Sequence, residues 1–78
     1  MRLEPLGSNQ TQIRTDKWVV LFSYKTPVAA QNLENGQTLV TSKKWSRTTS
    51  KHINKWLDGM TAKLVDQSEL DSIGGDIK

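Results

Sequence analysis

At 78 residues, with 35% apolar side chains, three Trp, one Tyr, one Phe and no cysteine, the chain describes one small domain; a chain this short buries only about 60% of its unfolded surface, which argues against a deep catalytic cleft. The absence of cysteine excludes disulfides and thiolate metal sites, and no apolar run is long enough for a membrane span or a secretory h-region. The net charge of +3 is unevenly spread, with five basic and no acidic residues in 43–55 and two basic against five acidic in 56–78, so the sign of the middle segment bears on partners more than the total does.

Residues 1–15 hold Pro5, Gly7 and a polar run from Ser8 to Gln12. They show no sustained periodicity and are expected to form a flexible arm with a short extended piece near Ile13. The folded domain is expected over 16–73. Its clearest strand is Trp18-Val19-Val20-Leu21-Phe22-Ser23-Tyr24, rich in β-branched and aromatic residues. Pro27 suits the first residue of a second strand running to Leu33, where its missing N–H is tolerated. Asn35-Gly36 then marks a hairpin with both central positions at φ > 0, and Thr38 to Lys43 returns as a third strand.

A helix follows. Ser46, Thr48 or Thr49 can cap its start. Ile53, Trp56, Leu57 and Met60 fall at i, i+3, i+4 and i+7 as one apolar stripe, and Gly59 is placed to end the helix in a left-handed conformation. Leu64, Val65, Leu70 and Ile73 suit a short C-terminal helix capped by Asp66 or Ser68, and residues 74–78 are expected to fray. The predicted fold is α+β: a three-stranded antiparallel meander packed against one helix (β-β-β-α), with a short C-terminal helix.

No glycine-rich phosphate loop, Cys/His cluster or paired carboxylate is present. His52 is the only histidine, and the nearest carboxylate, Asp58, lies six residues along the helix. Thr48 and Thr49 sit four and three residues before His52, where a nucleophilic hydroxyl would need them. Such contacts are common between helix-start hydroxyls and the next turn. The expectation is therefore no enzyme, no cofactor and no metal. His52 is expected to buttress the sheet–helix interface beside Trp56, bonding a strand carbonyl or a Thr hydroxyl, ahead of a partner-contacting or pH-sensitive role.

Lys43, Lys44, Trp45, Arg47, Lys51 and Lys55 are the candidate binding residues. Lys51 and Lys55 are i, i+4 neighbours on the side opposite Ile53, with Arg47 one turn earlier. Like charges at that spacing cost a few tenths of a kcal/mol each, and basic residues at a helix start oppose the macrodipole. Such a face is often merely solvated; kept at a cost, it suits an anionic partner. For a nucleic acid, the helix start would offer N–H groups and hydroxyls to a phosphate, the cations would track the backbone, and Trp45 would stack on a base. The five late acidic residues oppose that reading.

Trp18, Val20, Phe22 and Tyr24 share one strand parity, and Val19, Leu21 and Ser23 the other. One small helix cannot cover both faces. The expected solution is that the arm and C-terminal segment cover the second face; the alternative is an open aromatic patch for homodimerisation or docking.

The run Phe22-Ser23-Tyr24-Lys25-Thr26-Pro27-Val28-Ala29, then Thr38-Leu39-Val40-Thr41, then Lys44 to Asn54 resembles a small domain that recurs in tailed-bacteriophage and prophage reading frames. That family shows an SY-x-TPVA … V-T … aromatic-S-x-TT-(S/T)-(K/R)-H-x-N arrangement and has no assigned function. The resemblance covers residues 18–57 and implies a phage-type accessory protein, without catalytic or binding residues to carry over. The expected function is a non-enzymatic module that binds a host or phage protein in the host cytoplasm, through the basic helix face or the strand aromatics. The alternative is a small nucleic-acid-binding protein using residues 43–55.

Overall fold

A computed structural model describes residues 2–7, 10–24, 26–43 and 46–76. Among these residues six strands form one sheet in chain order: β1 (Arg2–Gly7), β2 (Gln10–Arg14), β3 (Trp18–Ser23), β4 (Thr26–Asn32), β5 (Thr38–Thr41) and β6 (Lys63–Val65). Helix α1 (Arg47–Leu57) follows β5 and helix α2 (Gln67–Asp76) follows β6. β1 to β5 pair antiparallel, and β6 pairs parallel to β5, with α1 as the crossover that a parallel pair requires. The fold is α+β, and the expected three-stranded meander is its β3–β4–β5 centre.

The first fifteen residues, expected as a flexible arm, instead supply β1 and β2. Their polarity hides the strands because they hold on through side-chain hydrogen bonds as much as through burial. Gln12 accepts a 2.8 Å bond from Trp56 Nε1 on α1, and Gln10 is buried beside Ser23 in register. Across the hairpin, Arg14 Nε lies 3.4 Å from Glu4 Oε1. Pro5 and a register break before Gly7 mark β1 as an edge strand.

β3 is buried on both faces, as its unbroken apolar run requires. On one face Val20, Phe22, Ala30, Leu39 and Val65 pack under Leu70 and Ile73 of α2, with Ile13 and Trp18 at the margin. On the other, Leu21, Val28, Ala29 and Val40 pack under Ile53, Trp56 and Leu57 of α1. Val28 and Ala29, adjacent in sequence, share the α1 face because the β3–β4 register slips there: Leu21 pairs with Ala29 but Phe22 with Pro27. Burying a side chain such as Leu70 completely contributes about 1.5–3 kcal/mol.

Pro27 pairs with Phe22 of β3 but precedes the β4–β5 ladder, which begins at Ala29, so its missing N–H costs no bond to β5. Its carbonyl accepts a 2.7 Å bond from Gln67 Nε2 of α2. The β4–β5 connection is longer than the expected two-residue turn. Asn32 Oδ1 accepts from Glu34 and Asn35 N–H, and of Asn35 and Gly36 only Gly36 has positive φ.

Ser46 is the cap of α1, accepting from Thr49 N–H at 3.2 Å. Asp58 and Gly59, both left-handed, end the helix, which leaves Met60 outside the stripe and exposed; Thr49 takes its place on the buried side. The last helix, expected after a cap at Asp66 or Ser68, starts at Gln67, and Leu64 and Val65 before it form β6. Residues 74–76, expected to fray, complete α2, where Gly74 is buried against Pro27 and Phe22; Ile77 and Lys78 lie outside the described residues.

Candidate functional site

The basic segment divides as helix geometry demands. Arg47, Lys51 and Lys55 follow one another at four-residue steps along the outer face of α1, all exposed and with no ion pair among the described residues. At a rise of about 1.5 Å per residue, the three cations span about 12 Å. Lys43 is exposed at the end of β5. Lys44 and Trp45, the other two candidates, lie outside the described residues.

The acidic end of the sequence lies elsewhere. Glu69 and Asp71 are exposed on α2, across the sheet from α1. The shorter dimensions of the molecule are 24 and 23 Å, well beyond a Debye length of about 8 Å at physiological salt. The basic residues of α1 and the Glu69 and Asp71 carboxylates of α2 thus lie on opposite sides of the sheet, with Asp58, the C-cap of α1, the late acidic residue that stays on the cationic side.

Beneath the start of α1 is a polar cluster that sequence reasoning caught only in part. Ser23 Oγ, 2% exposed, lies 2.9 Å from Thr49 Oγ1 and 3.0 Å from His52 Nδ1. Ser46 Oγ donates to Thr49 Oγ1 at 3.3 Å. Each hydroxyl has one proton to give. The chain closes if Thr49 donates to Ser23 and Ser23 to His52 Nδ1, with the ring proton on Nε2. His52 therefore meets the sheet through a strand hydroxyl, neither a carbonyl nor a Thr. Ser23 is the member of this cluster that the sequence did not single out; its inward parity beside Leu21 was the available signal.

Next to this cluster is a cavity of about 210 Å³ lined by Ser23, Tyr24, Thr26, Val28, Ser46 and Thr49. Tyr24 stands at φ 59°, a strained position for a bulky residue, and is 55% exposed. That break in the strand takes Tyr24 out of the parity it was expected to share. Trp18 and Phe22 pack on the α2 side, so of the three strand aromatics only Tyr24 is exposed.

A hydroxyl bonded to imidazole is one ingredient of nucleophilic catalysis. Here the Ser23 oxygen is shared between two protein partners and its side chain is almost wholly buried, so the geometry is that of a clamp between α1 and β3. Among the described residues, no three His, Cys, Asp or Glu side chains converge as a metal site requires. No helix among them is long and apolar enough to cross a membrane.

A shallow groove of about 290 Å³ runs between α1 and the β5–β6 edge, lined among others by Val40, Lys43, Ser50, Ile53, Asn54 and Leu64.

These features define a small α+β domain with one helix on each sheet face and a cationic outer helix. The chain belongs to a family of unknown function (DUF8033), which it matches over residues 1–72. The match takes in the β1–β2 hairpin and most of α2. No curated protein and no solved structure matches the chain.

Proposed function

We propose that the domain is a non-enzymatic protein-binding module that presents the outer face of α1 to an acidic surface on its partner. The observation that carries this is the row Arg47, Lys51 and Lys55, exposed and unneutralised among the described residues, on the face turned away from the α2 carboxylates. α1 carries no acidic residue in its first turn to offset Arg47, whereas Lys55 lies in the last turn where the dipole favours it, so the row is kept against mutual repulsion and, at Arg47, against the helix dipole. The Ser23–Thr49–His52 clamp, with both hydroxyl residues buried, supports the non-enzymatic reading. The resemblance to small phage domains points to a host or phage protein in the cytoplasm of the host cell as the partner.

One observation favours a second reading, nucleic-acid binding: the acidic residues of α2 face away from the cationic layer and do not oppose a polyanion laid on it. Affinity capture from host lysate with the wild-type and with Arg47→Glu/Lys51→Glu/Lys55→Glu, beside titrations of single- and double-stranded DNA and RNA at low and physiological salt, separates the two. A captured protein lost on charge reversal is the expected result. Nucleic-acid binding with a steep salt slope, and no captured protein, would overturn the first reading in favour of the second.

A further inference from the structure

We infer that His52 is a proton-operated switch: its protonation reverses the hydroxyl row Ser23–Thr49–Ser46 without unseating α1, and adds a fourth cation to the face that meets the partner. The reversal is a property of the clamp itself; only its effect on binding rests on the protein-binding reading.

The hydroxyl row can run in two directions. With His52 neutral, Ser46 donates to Thr49, Thr49 to Ser23, and Ser23 to His52 Nδ1, over 3.3, 2.9 and 3.0 Å. A protonated imidazole has no acceptor, so its Nδ1–H must donate. Ser23 then turns its proton to Thr49, and Thr49 turns its own to Ser46 Oγ, which already accepts Thr49 N–H at 3.2 Å. A hydroxyl oxygen with two lone pairs takes both. Ser46 is exposed, so its displaced proton meets solvent, whereas the buried Ser23 and Thr49 keep one donor and one acceptor in either direction. The reversal strands no buried group, and the cap of α1 survives it.

The charges around His52 make its proton count toward the cationic face. From β3, β4 and β5, Leu21, Ser23, Val28, Ala29 and Val40 meet α1, none of them charged. On β2, Arg14 shares a face with Gln12, which bonds Trp56; Glu4 of β1, opposite Gln12 in register, is held by Arg14 at 3.4 Å. Tyr24 stands at the cavity beside Ser23 and Thr49, and Lys43 lies on the groove side of α1. On α1 itself are Arg47, Lys51 and Lys55, with Asp58 at its end. No carboxylate pairs with the half-buried His52 among the described residues. It follows Lys51 directly and lies three residues before Lys55, so its protonation extends their row. Histidine is also the side chain whose charge ordinarily changes between about pH 5 and 8.

Ring 15N spectra of the full chain across about pH 5 to 8 read both states of its single histidine. The expected result is the Nε2–H tautomer when His52 is neutral, with α1 amides and the Trp56 indole equally protected from exchange once it is protonated. Thr49→Val keeps the capping N–H but removes the acceptor that the Ser23 proton needs only in the reversed direction. His52 in that variant should therefore titrate about one pH unit lower than in the wild type. Hexaglutamate serves as the acidic probe: its affinity should rise about two- to fivefold as His52 takes up its proton, and should not do so in His52→Gln. An Nδ1–H tautomer, loss of α1 protection on protonation, or an unshifted Thr49→Val titration would overturn the switch. Probe binding that ignores His52 protonation would overturn its role at the partner face alone. Absence of probe binding at any pH would overturn that role and the acidic-partner reading together, while the spectra still decide the reversal.

Discussion

Ser23→Ala tests whether the Ser23–Thr49–His52 cluster is the clamp that seats α1 on the sheet. The substitution removes a hydroxyl with two partners, Thr49 Oγ1 at 2.9 Å and His52 Nδ1 at 3.0 Å. Thr49 is buried and keeps only the longer 3.3 Å contact from Ser46, whereas His52 is half-buried and water can reach part of its ring. Leaving a buried polar group unpaired costs about 1–3 kcal/mol, so a loss of about 2 kcal/mol is expected, with one partner bearing most of it. In a domain of this size that corresponds to a fall in Tm of about 8–16 °C.

Thr49→Val is the matched change: it removes the other hydroxyl at nearly constant shape and leaves the Thr49 N–H bond to Ser46, which caps α1, intact. The double variant should lose less than the sum of the singles, by about 0.5–1.5 kcal/mol, because removing both partners leaves nothing stranded between them. Urea and thermal unfolding followed by circular dichroism would measure all four corners, with a constant m-value as the check on two-state behaviour. A Ser23→Ala loss below about 0.5 kcal/mol, or additivity in the double variant, would refute the clamp.

Gly74→Ala places a Cβ 2.9 Å from Pro27 Cγ and 3.4 Å from Phe22 Cζ, and should cost about 1–3 kcal/mol through overpacking of a rigid ring. Gly75→Ala meets nothing within 4 Å and should stabilise α2 by up to about 1 kcal/mol; paired thermal melts check both signs. Asp58→Asn keeps a residue that tolerates the left-handed C-cap at φ 46° and removes a carboxylate from the negative end of α1. It should gain about 0.3–1 kcal/mol at low ionic strength, shrinking with added salt. Lys51→Glu turns two repulsive i±4 neighbours into attractive ones and should raise stability by about 0.5–1 kcal/mol while partner binding falls; retained binding would show the row to be merely solvated.

The centre of the fold was legible because burial wrote itself into residue type. Trp18 to Ser23 reads as a strand from its β-branched and aromatic run, and Ile53, Trp56 and Leu57 read as a helix face from their spacing. β1 and β2 were not legible because Gln10, Thr11 and Gln12 occupy the sheet without an apolar alternation, and Gln12 is held by the Trp56 indole on another element. β6 was masked by its brevity: three residues carry no period, and its pairing depends on β5 more than twenty residues earlier. Of the candidate site, the exposed row on α1 followed from helix geometry alone, whereas Ser23 joined His52 only once the strand and helix were packed face to face.

The two-sided burial of β3 explains the electrostatics as well as the fold. A strand apolar on both faces needs two covers, and the chain supplies them from its C-terminal part, residues 47–76: α1 as the crossover between parallel strands, then α2 after the single residue Asp66. Because those helices end up on opposite faces, the basic residues of α1 and the acidic residues Glu69 and Asp71 of α2 end up across the sheet from each other, Asp58 at the end of α1 excepted. Repulsion within the α1 row costs only tenths of a kcal/mol, small against the burial of Ile53, Trp56 and Leu57 on its inner side. The fold can therefore carry this cationic face, which has no ion pair among the described residues, at little cost to stability.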